Sequence, residues 1–128
     1  MNILFTYCSA AKHTEVGNVP AVSRYISKRI DWVADKQNRQ LFILSGKYGI
    51  IPATHPIPYY DPLLTQQEVI AHAQKVASQI REHGITHITF YTRSLQQDPN
   101  VAAYMNCITQ VAELAKADLV VEEEAFGE

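Results

Sequence analysis

Residues 41 to 65, LFILSGKYGIIPATHPIPYYDPLLT, hold the stretch on which the fold turns. Leu41 to Leu44 is a short, unbroken apolar run. Such a run predicts a strand buried on both faces, the mark of a parallel sheet. Ser45-Gly46-Lys47-Tyr48-Gly49 then brings in turn formers. Pro52, Pro56, Pro58 and Pro62 follow, among Ile50, Ile51, Ile57, Tyr59, Tyr60 and Asp61. Helical character resumes only at Thr65. Connections of about 2–6 residues are usual in α/β units, and long ones without structure of their own are usually functional or disordered. Here the prolines stiffen the backbone and the apolar side chains can pack. The segment from Gly46 to Leu64 is therefore predicted to be an ordered loop over the strand ends, serving as a pocket wall or lid.

Upstream, Asn2 to Tyr7 is a first strand. Cys8 to Asn18 is polar and irregular. Pro20 suits a first helical turn, and Val22, Ile26, Ile30 and Val33 follow at helical spacing. Downstream, Thr65-Gln-Gln-Glu68 is a capping box. Val69, Ala73, Val76 and Ile80 form the stripe of a second helix, which Gly84 ends. Ile85 to Tyr91 is a third strand. Asp98 and Pro99 mark the N-cap and first position of a third helix. Its inner face is predicted as Val101, Met105, Ile108, Ala112 and Ala115. Asp118 to Glu122 is a fourth strand, and residues 122–128 form an acidic tail. The order βαβαβαβ predicts a single α/β domain over 1–128: three layers, α/β/α, around a mostly parallel four-stranded sheet.

The chain has 128 residues, 47% of them apolar, enough for one domain to bury a core without staples. A formal charge of −2 lacks the strongly basic face usual in DNA-binding domains. Cys8 and Cys107 lie far apart in sequence and suit a reducing compartment. No apolar run approaches a membrane span, and Met1-Asn2 runs directly into the first strand, so no signal peptide is expected. The expectation is a cytoplasmic protein without membrane contact.

In open α/β sheets ligands bind beyond the carboxyl ends of the strands. The first three strand exits are Cys8-Ser9-Ala-Ala-Lys12-His13, Ser45-Gly46-Lys47-Tyr48 and Tyr91-Thr92-Arg93-Ser94. Each carries a hydroxyl and a cation, the groups that hold phosphate or carboxylate. Tyr59 or Tyr60 would stack on a planar ligand, and Asp61 is the carboxylate best placed to reach it.

Several motifs fail. A phosphate loop needs glycine where Leu41 stands and Ser or Thr where Tyr48 stands. A thiol phosphatase loop starting at Cys8 needs arginine at Thr14. The five histidines have no ligand spacing: Gly84 separates His83 from His87, and His72 lies about three turns from His83. His13 and His55, both in exit loops, are one weak pair. No dinucleotide fingerprint and no Gly-x-Ser-x-Gly elbow is present. No metal and no cofactor is expected.

The segment ILSGKYGIIPATHPIPYYDPLL resembles the Leu-Ser-x-x-Tyr-Gly...Pro-Tyr signature of YaaA-like proteins, which are linked to peroxide stress and DNA binding. It is more similar still to small domains of unknown function related to them, in which Pro-Tyr-Asp ends the segment. Tyr7-Cys8-Ser9-Ala-Ala-Lys12 and Tyr25 also fit that pattern. The resemblance covers the first half of the chain. Pro58-Tyr59-Tyr60-Asp61 carries one extra tyrosine, so either tyrosine matches. YaaA proteins proper are about twice as long.

The resemblance implies a uracil-DNA-glycosylase-like, Rossmann-like fold and a pocket for a nucleobase, nucleotide or nucleic acid. On the enzymatic reading an N-glycosidic bond is hydrolysed. Asp61, Ser45, Lys47 and Tyr48 would be catalytic, and Cys8, Ser9, Lys12, Tyr25, Gly46, Tyr59, Tyr60, Tyr91 and Arg93 would line the ligand. On a second reading the pocket senses a nucleotide or DNA without chemistry. On a third it is a partner-binding module, and the protein a homodimer.

Overall fold

The structure, a computed structural model, describes residues 2–9, 12–14, 16–25, 27–35, 41–60 and 63–123. Asp61, the proposed catalytic carboxylate, lies outside the described residues, as do Ile26, Pro62 and Glu124. Strand β1 (Asn2–Tyr7) is followed by β2 (Val19–Pro20), α1 (Ala21–Arg24) and α2 (Lys28–Ala34). Then come β3 (Leu41–Ser45), β4 (Gly49–Pro52) and β5 (Pro56–Ile57). A 3-10 turn (Gln66–Glu68) leads into α3 (Val69–Glu82), and β6 (His87–Thr92), α4 (Val101–Ala115) and β7 (Asp118–Glu123) are the last of the described elements.

One sheet has five strands in the order β4-β3-β1-β6-β7. β3, β1, β6 and β7 are parallel, as the unbroken apolar runs require. The fold is thus mixed α/β with a mostly parallel sheet, but it has five strands rather than the four expected. The added strand, β4, comes from the segment read as a loop. The chain reverses over Gly46–Tyr48, and β4 pairs antiparallel with β3, Ser45 opposite Gly49 and Phe42 opposite Pro52. Gly49 closes this reversal at φ +80°, which a side chain would strain. Further along, Pro56 and Ile57 are also tied down, because β5 pairs antiparallel with β2. The described part of the connection, Gly46 to Ile57, is therefore a hairpin followed by a short ribbon.

Alternation along β1 divides the core. Ile3, Phe5 and Tyr7 join Phe42, Phe90, Val76, Ile80, Tyr104 and Ile108 beneath α3 and α4. Leu4 points the other way, into a smaller cluster with Val33 of α2, Leu41 and Tyr91. Helices thus cover both faces. Phe5 and Phe42 stack at 5.6 Å between centroids. Burying each such ring contributes about 1.5–3 kcal/mol.

The single first helix predicted from Val22, Ile26, Ile30 and Val33 is two short ones. Tyr25 interrupts them in an extended conformation (φ −86°, ψ 138°) and bridges to Lys12. Ser27 restarts the helix, its hydroxyl accepting from the Ile30 N–H at 3.1 Å.

The second helix follows its prediction. The Glu68 carboxylate accepts from the Thr65 N–H and hydroxyl at 3.1 and 2.8 Å. Val69, Ala73, Val76 and Ile80 are buried, and Gly84 takes φ +66°. The third helix starts later than predicted, at Val101, with Asn100 as N-cap. Its buried residues are Val101, Ala103, Tyr104, Cys107, Ile108, Val111 and Ala112, while Met105 and Ala115 are half-buried.

Candidate functional site

Ser45 ends β3 and organises the rim. Its Oγ accepts from the backbone N–H groups of Lys47 (3.0 Å) and Tyr48 (3.1 Å), fixing the turn that follows. Both acceptor positions of that hydroxyl are then filled, so its proton is donated to Tyr60 Oη, 2.8 Å away. Tyr60 Oη also shares a hydrogen bond with Tyr25 Oη at 2.5 Å. The Ser45 carbonyl meets His72 Nε2 at 2.7 Å. A carbonyl only accepts, so His72 carries its proton on Nε2. Gly46 lets the chain at Leu64 press against this turn; a Cβ there would lie 2.5 Å from the Leu64 backbone nitrogen.

The Tyr60 ring is the centre of the cluster. Tyr48 meets it edge-on at 5.3 Å and Tyr25 at 6.3 Å. Lys12 is buried and its Nζ lies 4.5 Å from the Tyr60 centroid, within cation–π reach. Lys47 is exposed, with Nζ 5.2 Å from the Tyr48 centroid and 5.8 Å from that of Tyr60. Lys75 of α3 donates to the Lys47 carbonyl at 3.1 Å. From the floor, Cys8 Sγ and Tyr104 Oη approach at 3.1 Å, and Tyr104 Oη accepts from the Leu64 N–H at 3.1 Å.

Burial raises the pKa of Tyr25, Tyr60 and Tyr104 above the ordinary phenol value. The phenols therefore stay neutral through the physiological range. The lysine charges are not cancelled by tyrosinates, and each hydroxyl keeps a proton to donate.

Cys8, Lys12, Tyr25, Ser45, Gly46, Lys47, Tyr48 and Tyr60 thus gather at the carboxyl ends of β1 and β3, from segments distant in sequence. Ser9 is buried beside Cys8. Tyr59 is 43% exposed, leaving Tyr60 as the tyrosine of the hydrogen-bonded cluster. Two expected ligand residues are placed elsewhere. Tyr91 faces the α2 layer, its ring edge-on to Trp32 at 5.7 Å. The register of β6 turns it away from the rim. Arg93 is engaged by Asp98: Nη2 lies 2.5 Å from Oδ2, and Nε donates to Tyr7 Oη at 3.1 Å. Tyr7 donates to the same carboxylate oxygen at 2.9 Å. A matched ion pair is a weak phosphate clamp, and Arg93 acts instead to tie β1 to the start of α4.

The sequence did not single out Tyr104, His72 or Arg29. Arg29 is fully buried, reaches the Thr6 hydroxyl and the Tyr7 and Cys8 carbonyls, and stacks 3.5 Å from the Tyr7 centroid. All three read as helix residues, and only long-range pairing gives them a role at the rim.

A cleft of about 450 Å³ adjoins the cluster. Tyr48 is its shared wall, and Ile50, Ile57, Pro58, His55 and Gln79 form much of the rest. Among the described residues, no group of three or more His, Cys, Asp or Glu is placed to hold a metal ion. No described helix is long and apolar enough to cross a membrane. The fold and rim define a mixed α/β protein with a lysine–tyrosine cluster at the strand ends. No family model, curated protein or solved structure matches the chain.

Proposed function

We propose that the rim binds the phosphate of a nucleotide, or the phosphate-bearing end of a nucleic acid. The observation that carries this reading is that two ammonium groups, from Lys12 and Lys47, lie over one tyrosine ring. An anion entering there meets two positive charges, and the neutral Ser45–Tyr60–Tyr25 chain beside them does not oppose it. Position agrees, since the carboxyl ends of parallel strands are where such sheets take ligands. The resemblance to YaaA-related domains points the same way, and with it to a uracil-DNA-glycosylase-like, Rossmann-like fold.

Hydrolysis of an N-glycosidic bond needs a carboxylate to orient water or support the oxocarbenium charge. Asp61 is the candidate by resemblance and lies outside the described residues, so the geometry carries binding further than chemistry. One experiment separates the two. Purified protein is titrated calorimetrically with nucleoside monophosphates and short single-stranded DNA, and the ligand is then assayed chromatographically. Saturable binding that weakens about tenfold in Lys47→Met is expected, as for loss of one charge-assisted contact. Intact ligand marks a sensor. Free base, lost in Asp61→Asn, marks a glycosidase. No saturable binding to any of these ligands ends the proposal.

A further inference from the structure

The cleft behind Tyr48 is a second compartment that the lysine cluster does not use. Its volume, about 450 Å³, falls within the range of small-ligand pockets. Its lining is mixed in a particular way. Ile50 and Ile57 are buried and present aliphatic surface, and Pro58 adds a rigid, exposed edge. His55 is exposed at the mouth. The Gln79 carboxamide is held rigidly inside, accepting from the Ile50 N–H at 2.9 Å and donating to the Tyr48 carbonyl at 3.1 Å. A flat, largely apolar group with polar atoms on its rim matches such a lining; a sugar or a bare anion does not.

Tyr48 joins the two compartments. One side of its environment is the cleft, and Lys47 Nζ stands 5.2 Å from its ring centroid. A ligand filling the cleft therefore touches the same tyrosine that the Lys47 ammonium approaches. We infer that the cleft is the base-binding compartment of the rim, taking a purine or pyrimidine ring between Tyr48, Ile57 and Pro58 while the phosphate stays on the lysines. The phosphate half of this statement rests on the function proposed above; the cleft half stands on its own lining.

The test reads the two compartments separately. Methyl spectra of protein labelled at isoleucine are recorded with adenosine, with adenosine monophosphate and with ribose 5-phosphate. Shifts of the Ile50 and Ile57 methyls are expected with adenosine and its monophosphate, and not with ribose 5-phosphate. Pro58→Trp, which fills the mouth from an exposed position, is expected to weaken adenosine at least tenfold and to leave ribose 5-phosphate unchanged. Lys47→Met is expected to do the reverse. If the monophosphate binds but the isoleucine methyls stay still, the base lies elsewhere and this inference is overturned, with the phosphate reading intact. If adenosine moves those methyls and phosphate adds no affinity, the inference holds and the phosphate reading fails. If none of the three ligands binds, both are lost.

Discussion

The Gln79 side chain bonds to Ile50 as a neighbouring strand would. Its Oε1 accepts from the Ile50 N–H at 2.9 Å, and its Nε2 donates to the Tyr48 carbonyl two residues earlier, at 3.1 Å. One carboxamide thus satisfies the outward donor and acceptor that a sheet edge leaves open. Further along the same edge Pro52 has no N–H to offer, and its carbonyl accepts from His55 N at 2.9 Å. Part of the outward edge of β4 is thus closed against further pairing.

Gln79→Ala is therefore expected to lower stability by about 1–3 kcal/mol, the cost of leaving partly buried backbone groups unpaired. It is also expected to introduce concentration-dependent association through the opened edge. Urea unfolding measures the first and size-exclusion chromatography over a dilution series the second. A variant with wild-type midpoint and wild-type elution would show that the carboxamide does not protect the edge.

Gly46 has another role, that of close approach. A Cβ at this position would sit 2.5 Å from the Leu64 backbone nitrogen, and backbone cannot swing aside as a side chain can. Gly46→Ala should cost about 1–3 kcal/mol, as overpacking does. It should also loosen the Ser45 turn, because Leu64 is anchored by Tyr104. Gly84→Ala is a useful control, with open space around it and only the strain of its φ of +66°. Equal stability of Gly46→Ala and wild type would contradict the contact.

How much of this was legible in the sequence depends on distance along the chain. The capping box needs only Thr65 and Glu68, three residues apart, and it formed as read. The α3 stripe needs one period, and every position read from it is buried. The β4 hairpin was harder. Ile50-Ile51 looks like loop packing until Gly49 is seen to turn the chain back onto β3. The break between α1 and α2 was hidden because its cause lies outside the helix, in the bridge from Tyr25 to Lys12. At the rim, Lys12, Ser45, Lys47 and Tyr48 were found because strand exits can be located from sequence. Tyr104 was missed because the stripe read for the third helix, Val101, Met105, Ile108, Ala112 and Ala115, passes it by, although it is buried. Its ring stacks on Tyr7 at 5.4 Å while its hydroxyl serves Cys8 and Leu64.

Thiol chemistry offers a separate check on the packing of α4. Cys8 and Cys107 are both buried free thiols. Burial pushes the Cys107 thiol up to about 12, so almost none of it is thiolate near neutrality. Iodoacetamide at pH 8 is expected to leave Cys107 unmodified in the folded protein and to label it fully in urea. Mass spectrometry of the digested protein reports both. Rapid labelling under native conditions would mean that α4 does not seal this side of the core.

His72 gives the rim its pH dependence. Burial lowers its pKa below 6.5, outweighing the Ser45 carbonyl, which pulls the other way. Glu68 across the turn favours the charged ring, and Lys75, one turn further along α3, disfavours it. The unfolded chain thus binds a proton at this histidine more readily than the folded one. Above the unfolded value of 6.5 both states are neutral and the contribution to stability is fully present. As pH falls through 6.5 the unfolded state gains a proton first, and stability drops. Protonation within the fold would keep the Nε2–H bond to Ser45 but bury a charge beside the turn that carries Lys47. The urea midpoint is therefore expected to fall between pH 7.5 and 5.5, and to fall less in His72→Gln, whose side chain keeps an N–H donor but does not titrate. Nucleotide affinity measured across the same range gives a second readout. If the two proteins lose stability in parallel over that interval, the pH dependence does not come from the histidine beneath Ser45.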